Sequence, residues 1–290
     1  MYLIDKHFSK ERRSALRIRF WRLILKHRTS HPYLSGDAFA SLCDYVAYGK
    51  DGSKPLNLRK LRRSKQLFVP GHRLDELLDS HSQDISASVL ICGNSDQNFV
   101  RDPILPKSVK FWLCQNYAVD GGLGSVLPIG LENLRLGKSG FKRLQKPFFD
   151  KKIEDRVLVP PMQITNPIRS ITISKCLELP HVFDVHDGYL TTAKYFDLIG
   201  RYKFVLVLEG NGFDTHRLWE VLYKGNIAIL LDSPWSRLIE KRGFLVHIIK
   251  DIRQIDLEEL RDFTRKKENG TEYDAKLSML YWKSLINLSV

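Results

Sequence analysis

Cysteine is scarce in this chain of 290 residues, and its few occurrences form no metal-binding or redox pattern. Cys43, Cys92, Cys114 and Cys176 are widely separated, and none belongs to a CxxC or Cys/His ligand spacing. That scatter argues against a zinc or thioredoxin-like site. Cys92 and Cys114 lie in apolar runs that are typical of strands, so we expect buried free thiols in a reducing compartment.

Long apolar runs are also missing. No stretch approaches the roughly 18 to 20 uninterrupted apolar residues that span a bilayer. Met1 leads into a charged segment rather than an apolar signal core. We therefore expect a cytoplasmic protein, with peripheral contact to the inner face of the membrane left open.

The sequence lacks the signatures of several enzyme classes. It has no GxGxxG or Walker A loop, no GxSxG elbow and no DxD pair suited to a divalent metal. The Asp-Val-His-Asp stretch over residues 184–187 is ambiguous, because lone His-Asp pairs are usually hydrogen-bonded structure. We therefore expect no metal ligand in the chain.

Acidic residues are outnumbered by basic ones, giving a formal net charge of +13 and a pI near 9.5. This favours a polyanionic partner, such as nucleic acid, anionic lipid or a phosphorylated substrate, but charge alone does not choose among them. Residues 8–28 predict a basic amphipathic helix that packs on its own domain or lies on a membrane surface. The basic cluster over residues 59–65 reads as a solvated face.

Composition and length predict two globular domains. Hydrophobic residues make up 43% of the chain and charged residues 27%, as in ordinary globular proteins. Between residues 137 and 154 apolar residues thin out and lysines accumulate, which is typical of a link. We place one α/β domain at residues 1–150 and a second at 151–290, with the last helix returning to the first.

The most informative stretch is KFVLVLEGNGFDTHRLWEVLYKGNIAILLDS, residues 203–233. It predicts a buried parallel strand, a glycine turn, a helix and a second strand. Asp214 or Thr215 offers an N-cap oxygen, and Gly225 suits the left-handed position after the helix. The loop at the end of the first strand is where open α/β sheets bind ligands, and helix N–H groups there favour an anion.

The helix of this stretch carries polar residues on one side. His216, Glu220 and Tyr223 lie opposite the apolar stripe, and Arg217 is within reach of an anion over residues 210–212. Glycines there permit close approach of a phosphate, and an arginine adds charge-assisted hydrogen bonds.

The first half also alternates strands with helices and polar loops, which predicts a parallel α/β layer. Asn94, Asp96 and Asn116 follow its predicted strands and would border a cleft, although turn formation is the commoner use of such residues. Residues 33–48 predict a helix capped by Ser35 or Asp37.

The run FVLVLEGNGFDTHRLWEVLYKGNIAIL, residues 204–230, resembles the sugar-nucleotide half of exostosin-like glycosyltransferases. That family has an acidic residue, a glycine turn, Asp, Arg and a helical Glu before a G-x-I-P-I strand, and Ala228 stands here in place of the proline. Weaker echoes of bacterial relatives are CGNSD (92–96), QNY (115–117) and LPIGLE (127–132).

The resemblance implies two Rossmann-like domains facing a cleft, the GT-B architecture, with a nucleotide-sugar donor and no required cofactor or divalent metal. It makes residues 1–150 the acceptor-side domain and residues 151–290 the nucleotide-sugar-binding domain. It implies that Arg217 contacts the donor diphosphate above Gly210, Asn211 and Gly212. Glu220 would accept hydrogen bonds from donor hydroxyls. The remaining implied donor-site residues are Arg169, Glu209, Asp214 and Thr215.

The catalytic base is expected from the first domain, since an inverting transfer needs a group that takes the acceptor hydroxyl proton. We predict Asp96, with Asp37 behind it and His216 as a further candidate. The function implied is sugar transfer to a glycan or lipid-linked glycan in cell-surface polysaccharide synthesis. The alternatives are a non-catalytic module that binds a polyanion or nucleotide and, on charge alone, a nucleic-acid-binding protein.

Overall fold

The computed structural model describes residues 30–136, 152–268 and 275–289. The helix predicted over residues 8–28 and most of the predicted link lie outside these ranges. Within them the protein is an α/β structure with two parallel five-stranded sheets. None of the helices in the described ranges has the length and apolar character needed to cross a membrane.

The first sheet keeps its strands in chain order, each beside the strand that precedes it, and all run parallel. Its strands are β1 (Tyr45–Val46), β2 (Gln66–Pro70), β3 (Val89–Gly93), β4 (Phe111–Cys114) and β5 (Ser125–Val126). The helices of this half are α1 (Gly36–Ala40), α2 (Leu58–Leu61) and α3 (Leu74–His81).

The second sheet is also parallel but has the order β10-β9-β8-β6-β7. Its strands are β6 (Ile153–Val159), β7 (Phe183–Val185), β8 (Tyr202–Leu206), β9 (Ile227–Leu231) and β10 (Val246–Ile249). The helices that follow β6 in the chain are α4 (Pro167–Leu177), α5 (Thr192–Arg201), α6 (His216–Tyr223), α7 (Pro234–Lys241), α8 (Leu257–Glu268) and α9 (Met279–Leu288).

The apolar runs of the sequence form the central strands of the two sheets, because both faces of these sheets are covered. Every residue of β3 is buried, including Cys92, as predicted for a parallel strand with helices or loops on each side. The predicted strand-turn-helix-strand unit is present as β8, α6 and β9. The apolar stripe of α6 is buried, and Gly225 has the predicted left-handed conformation, with φ of 64°.

The helix predicted over residues 33–48 is wrong in extent. Ser35 does cap a helix, but α1 ends at Ala40, and Tyr45 and Val46 form a strand. The apolar spacing in this segment fits a helix locally. Pairing of Val46 with Phe68 of β2 instead satisfies the backbone in an extended conformation.

The last helix packs against the first half of the chain. The ring of Trp282 in α9 meets Phe39 edge to face, with centroids 5.5 Å apart. The backbone N–H of Met279 donates to the carbonyl oxygen of Pro32 over 2.9 Å. The two ends of the described chain are therefore joined across one core.

Two glycines with nearly the same backbone conformation provide a matched test of the close backbone contact between Gly130 and Leu34. Gly130 has φ of 67° and an added Cβ would lie 2.2 Å from the carbonyl oxygen of Leu34. Gly121 has φ of 68°, and a Cβ added to it would have no neighbouring atom within 4 Å. We predict that Gly121→Ala lowers the free energy of unfolding by about 1–2 kcal/mol, the cost of left-handed backbone for alanine.

For Gly130→Ala we expect a loss of roughly 3 kcal/mol or more, because backbone must move as well. Denaturant unfolding of both variants measures the difference. Equal losses in the two variants would contradict the close contact between Gly130 and Leu34.

Candidate functional site

The second sheet contains a topological switch point between β6 and β8. The chain leaves β6 for β7 on one side and then returns to β8 on the other side of β6. In open parallel sheets a crevice forms at the carboxyl ends of the two strands where the connections diverge. The loops that border it here are residues 160–166 and 207–215.

Arg169 ties these two loops together. It lies in the first turn of α4, which Asn166 caps, and its side chain is buried. The guanidinium donates to the carbonyl oxygens of Glu209 (2.7 Å), Gln163 (2.7 Å) and Leu208 (3.2 Å), and to the Thr165 hydroxyl (3.1 Å). Four of its five N–H groups are thus used to hold the crevice in shape.

Arg217 brings a second positive charge to the crevice from the first turn of α6. Its Nη2 donates to the carbonyl oxygen of Pro161 over 2.6 Å, and its Nε donates to the Tyr195 hydroxyl over 3.3 Å. Burial lowers the pKa of Arg169, and the nearby charge of Arg217 lowers it further. Neither guanidinium forms an ion pair with a described residue. The crevice therefore favours an anion.

Tyr195 of α5 is a site residue that the sequence did not predict. Its hydroxyl donates to Oε2 of Glu220 over 2.9 Å and accepts from Arg217. Burial raises the pKa of Glu220, and the hydrogen bond from Tyr195 and the charges of His216 and Arg217 oppose that rise. One hydroxyl thus orients two predicted donor-site side chains. Tyr195 lies 25 positions from Glu220, so no local pattern connects them.

The glycine turn is shaped by neighbouring side chains. A Cβ at Gly210 would lie 2.9 Å from Nη2 of Arg169, and one at Gly212 would lie 2.6 Å from Nδ2 of Asn116. Both glycines therefore give room to protein side chains, while Asn211 between them is exposed. Approach of a phosphate over this turn stays a prediction.

The start of α6 has no side-chain cap, contrary to expectation. Thr215 is the N-cap residue but makes no capping hydrogen bond, and its hydroxyl is buried without a partner among the described residues. Asp214 does not cap the helix either, because its carboxylate is bound elsewhere. The uncapped first-turn N–H groups add to the preference for an anion.

Asp214 joins the two sheets. Its carboxylate accepts the backbone N–H of Ile129, which follows β5, over 2.7 Å and the indole N–H of Trp219 over 2.8 Å. Its own backbone N–H donates to Oδ1 of Asn116, which follows β4, over 2.7 Å. The loop after β8 therefore contacts the carboxyl ends of the first sheet. Burial raises the pKa of Asp214 to about 7, although the hydrogen bonds to its carboxylate act to lower it.

Asp96, the predicted base, lies where the two halves meet. It follows β3, is exposed, and its Oδ2 accepts from Nδ2 of Asn211 over 3.2 Å. Asp37 is in a different situation. It is buried, lies 3.0 Å from Nε of Arg135 and accepts from Asn94 over 3.1 Å. Its carboxylate is occupied by structural partners.

The polar face of α6 is an interface with the first half. Nδ1 of His216 lies 2.7 Å from the carbonyl oxygen of Gly130. Since a carbonyl only accepts, that nitrogen carries the proton and Nε2 is the acceptor of the neutral ring. The Tyr223 hydroxyl accepts the N–H of Leu34 (2.8 Å) and donates to the carbonyl oxygen of Leu277 (2.7 Å).

A cavity of about 160 Å³ lies beside the crevice, at the carboxyl ends of β8 and β9. Its wall is largely apolar, with Glu209, Asp232 and Ser233 as polar members and Trp235 among the lining residues. Burial raises the pKa of Glu209, and its hydrogen bond with the Ser233 side chain opposes the rise. The indole N–H of Trp235 is buried with no acceptor in the described ranges. The cavity thus offers apolar contact together with three polar residues, two of them acidic.

The Asp-Val-His-Asp stretch is used structurally in part. The Asp184 carboxylate accepts from Arg156 over 3.1 Å and from the Tyr202 hydroxyl over 2.8 Å. No group of three or more His, Cys, Asp or Glu side chains in the described ranges is arranged to hold a metal ion.

The pKa of Asp214 predicts a pH-dependent stability. A carboxyl whose folded pKa of about 7 exceeds the ordinary 3.8 contributes most stability below pH 4 and loses it as pH rises towards 7. The slope from this group is at most about 1.4 kcal/mol per pH unit. We predict that Asp214→Asn, which cannot ionise, removes this slope while lowering stability overall. Denaturant unfolding between pH 4 and pH 8 measures it, and parallel curves for the two proteins would contradict the assignment.

The chain matches no known family model, and no curated protein sequence matches it significantly. Its function is therefore inferred from the residues of the crevice, from the cavity beside it, and from the resemblance carried by residues 204–230.

Proposed function

We propose that this protein is an exostosin-like glycosyltransferase of the GT-B type. It transfers a hexose or related sugar from a nucleotide-sugar donor to a glycan or lipid-linked glycan, in the synthesis of a cell-surface polysaccharide. The two α/β sheets with facing carboxyl ends are compatible with that architecture. The donor belongs to the second half and the acceptor to the first.

The observation that carries the proposal is the pair of guanidiniums at the switch point. Arg169 and Arg217 meet only neutral oxygens there, beside the uncapped start of α6. A diphosphate would supply the missing negative charge and bind the remaining N–H groups. The same positive charges would stabilise the nucleoside diphosphate as it leaves, which is where charge develops in sugar transfer.

In this proposal the cavity beside the crevice holds only the flat base of the donor nucleoside, because its volume is about 160 Å³. A flat ring would make apolar contact with its wall and meet the indole N–H of Trp235 and the carboxyl of Glu209. Glu220, held by Tyr195, is assigned to donor hydroxyl groups. In this proposal the diphosphate lies between the ring and the transferred sugar.

In the transfer step the base removes the proton of the acceptor hydroxyl as its oxygen attacks the anomeric carbon. The bond from that carbon to the diphosphate oxygen breaks, and its electrons leave with the nucleoside diphosphate. We assign the base to Asp96, because its exposed carboxylate comes from the first half and already touches the loop after β8. His216 is the alternative base, through Nε2.

The basic surface suits the expected acceptors. A net charge of +13 attracts anionic glycans and the head groups of a membrane that carries lipid-linked acceptors. The proposal places the protein in the cytoplasm, in peripheral contact with that membrane surface.

Arg217→Ala tests donor binding. We predict that common nucleoside diphosphates and their sugars raise the melting temperature of the unaltered protein, since a bound ligand stabilises by mass action. In Arg217→Ala this increase should be lost at ligand concentrations that suffice for the unaltered protein. Arg253→Ala is the control, because Arg253 is an exposed arginine paired with Glu178 on another surface.

Asp96→Asn separates binding from chemistry in the same assay. It should keep the ligand-induced rise in melting temperature and lose turnover by about a hundredfold or more, as expected for a general base. The proposed donor site would be contradicted by a full ligand-induced rise in melting temperature in Arg217→Ala. It would also be contradicted if no common nucleotide sugar raised the melting temperature of the unaltered protein. Full turnover in Asp96→Asn would move the base to His216.

A second candidate is a non-catalytic module that binds a nucleotide or polyanion. It is favoured by the direct hydrogen bonds between the halves, including the one that occupies Asp96. Such a module keeps the anion site and requires no acceptor. It predicts binding without turnover for every acceptor.

A further inference from the structure

A second concentration of positive charge lies at the amino end of the first sheet. A pocket of about 430 Å³ is lined there by Arg59, Lys60 and Arg63, together with Asp44 and Tyr45. We call it the amino-edge pocket. Its volume is in the range of ligand-binding clefts, which begin at about 300 Å³.

The cations of the amino-edge pocket have no carboxylate partners in the described part of the chain. Arg59, Lys60 and Arg63 are exposed and form no ion pair there, whereas Arg62 between them pairs with Asp84 at 2.8 Å. Three like charges around one concavity repel one another, and a bound anion would relieve that repulsion.

Asp44, the one acid that lines the pocket, is held by backbone. Its Oδ2 accepts the N–H groups of Lys65 (2.9 Å) and Gln66 (3.1 Å). Those bonds fix the turn into β2 and keep that oxygen from the arginines. Three cations thus face one carboxylate around the pocket, and the net charge of its lining is positive.

We propose that the amino-edge pocket binds a small phosphate-bearing anion. Arg59 and Arg63 supply guanidinium groups, which match two phosphate oxygens at once, and Lys60 adds a third positive charge. Asn57 contributes an amide N–H₂ at the rim, since its Oδ1 already accepts the N–H of Lys60 over 3.0 Å.

This pocket is separate from the donor site. It lies at the amino ends of the strands of the first sheet, whereas the crevice lies at the carboxyl ends of the second. The five residues of β2 alone put about 16 Å between the two edges of the first sheet. Each site can therefore be removed without the other.

Titration calorimetry with inorganic pyrophosphate at low ionic strength tests the pocket. In the double variant Arg59→Ala/Arg63→Ala we expect a pyrophosphate site to be lost or weakened at least about tenfold, as for removal of charge-assisted hydrogen bonds. The matched control is Arg101→Ala/Lys107→Ala, which removes the same charge from exposed positions elsewhere and should keep the site. Should the double variant unfold, Arg63→Gln alone should still weaken binding.

Unchanged affinity in Arg59→Ala/Arg63→Ala, or an equal loss in the control, would overturn the proposal. Arg217→Ala is titrated in parallel. If Arg217→Ala is the only variant that abolishes pyrophosphate binding, the ligand binds at the donor site and the amino-edge pocket is excluded. If Arg217→Ala keeps the binding that Arg59 and Arg63 provide, the amino-edge pocket is supported, whether or not the donor site is. A third outcome is that the protein binds no pyrophosphate but sediments with phosphatidylglycerol vesicles in a way that depends on Arg59 and Arg63. These residues would then contact a lipid surface, and the proposed pyrophosphate site would be overturned.

Discussion

The buried carboxylate of Asp214 is the contact on which the arrangement of the two sheets depends. It accepts one N–H from the first half, at Ile129, and one from the second, at Trp219. Asn116 completes the junction by accepting the backbone N–H of Asp214. Because a buried carboxylate is costly unless it is hydrogen-bonded, these partners fix the loop after β8 in one position. That position determines where Arg217 and Asn211 lie.

The same loop has two faces with different tasks. Towards the first sheet it carries the Asp214 carboxyl group, which is hydrogen-bonded within the protein, and Gly212 gives space to Asn116. Towards the crevice it borders Arg169 and Arg217, which form no direct ion pair in the described ranges, although the charge of Arg217 reaches Glu220 beside the shared Tyr195 hydroxyl. A structural junction satisfies its polar groups internally, whereas a binding site leaves some for a ligand. This contrast separates the crevice from its surroundings.

Local patterns in the sequence were sufficient for the βαβ unit, whose apolar runs and Gly225 specify their own conformation. They failed over residues 33–48, where pairing with β2 overrode a helical pattern. They also could not show that Tyr195 joins Arg217 to Glu220, because that contact depends on the packing of α5 against α6. Residue types therefore suggested candidate side chains for a site, and tertiary packing decided which of them lie together.

The most direct test of the proposed activity is the release of nucleoside diphosphate from a panel of nucleotide sugars, with and without glycan and lipid-linked acceptors. The account predicts release from at least one donor, stimulated by an acceptor and accompanied by a glycosylated product. Binding of a nucleotide sugar at the Arg169–Arg217 crevice with no release for any acceptor would contradict a transferase and favour the binding module.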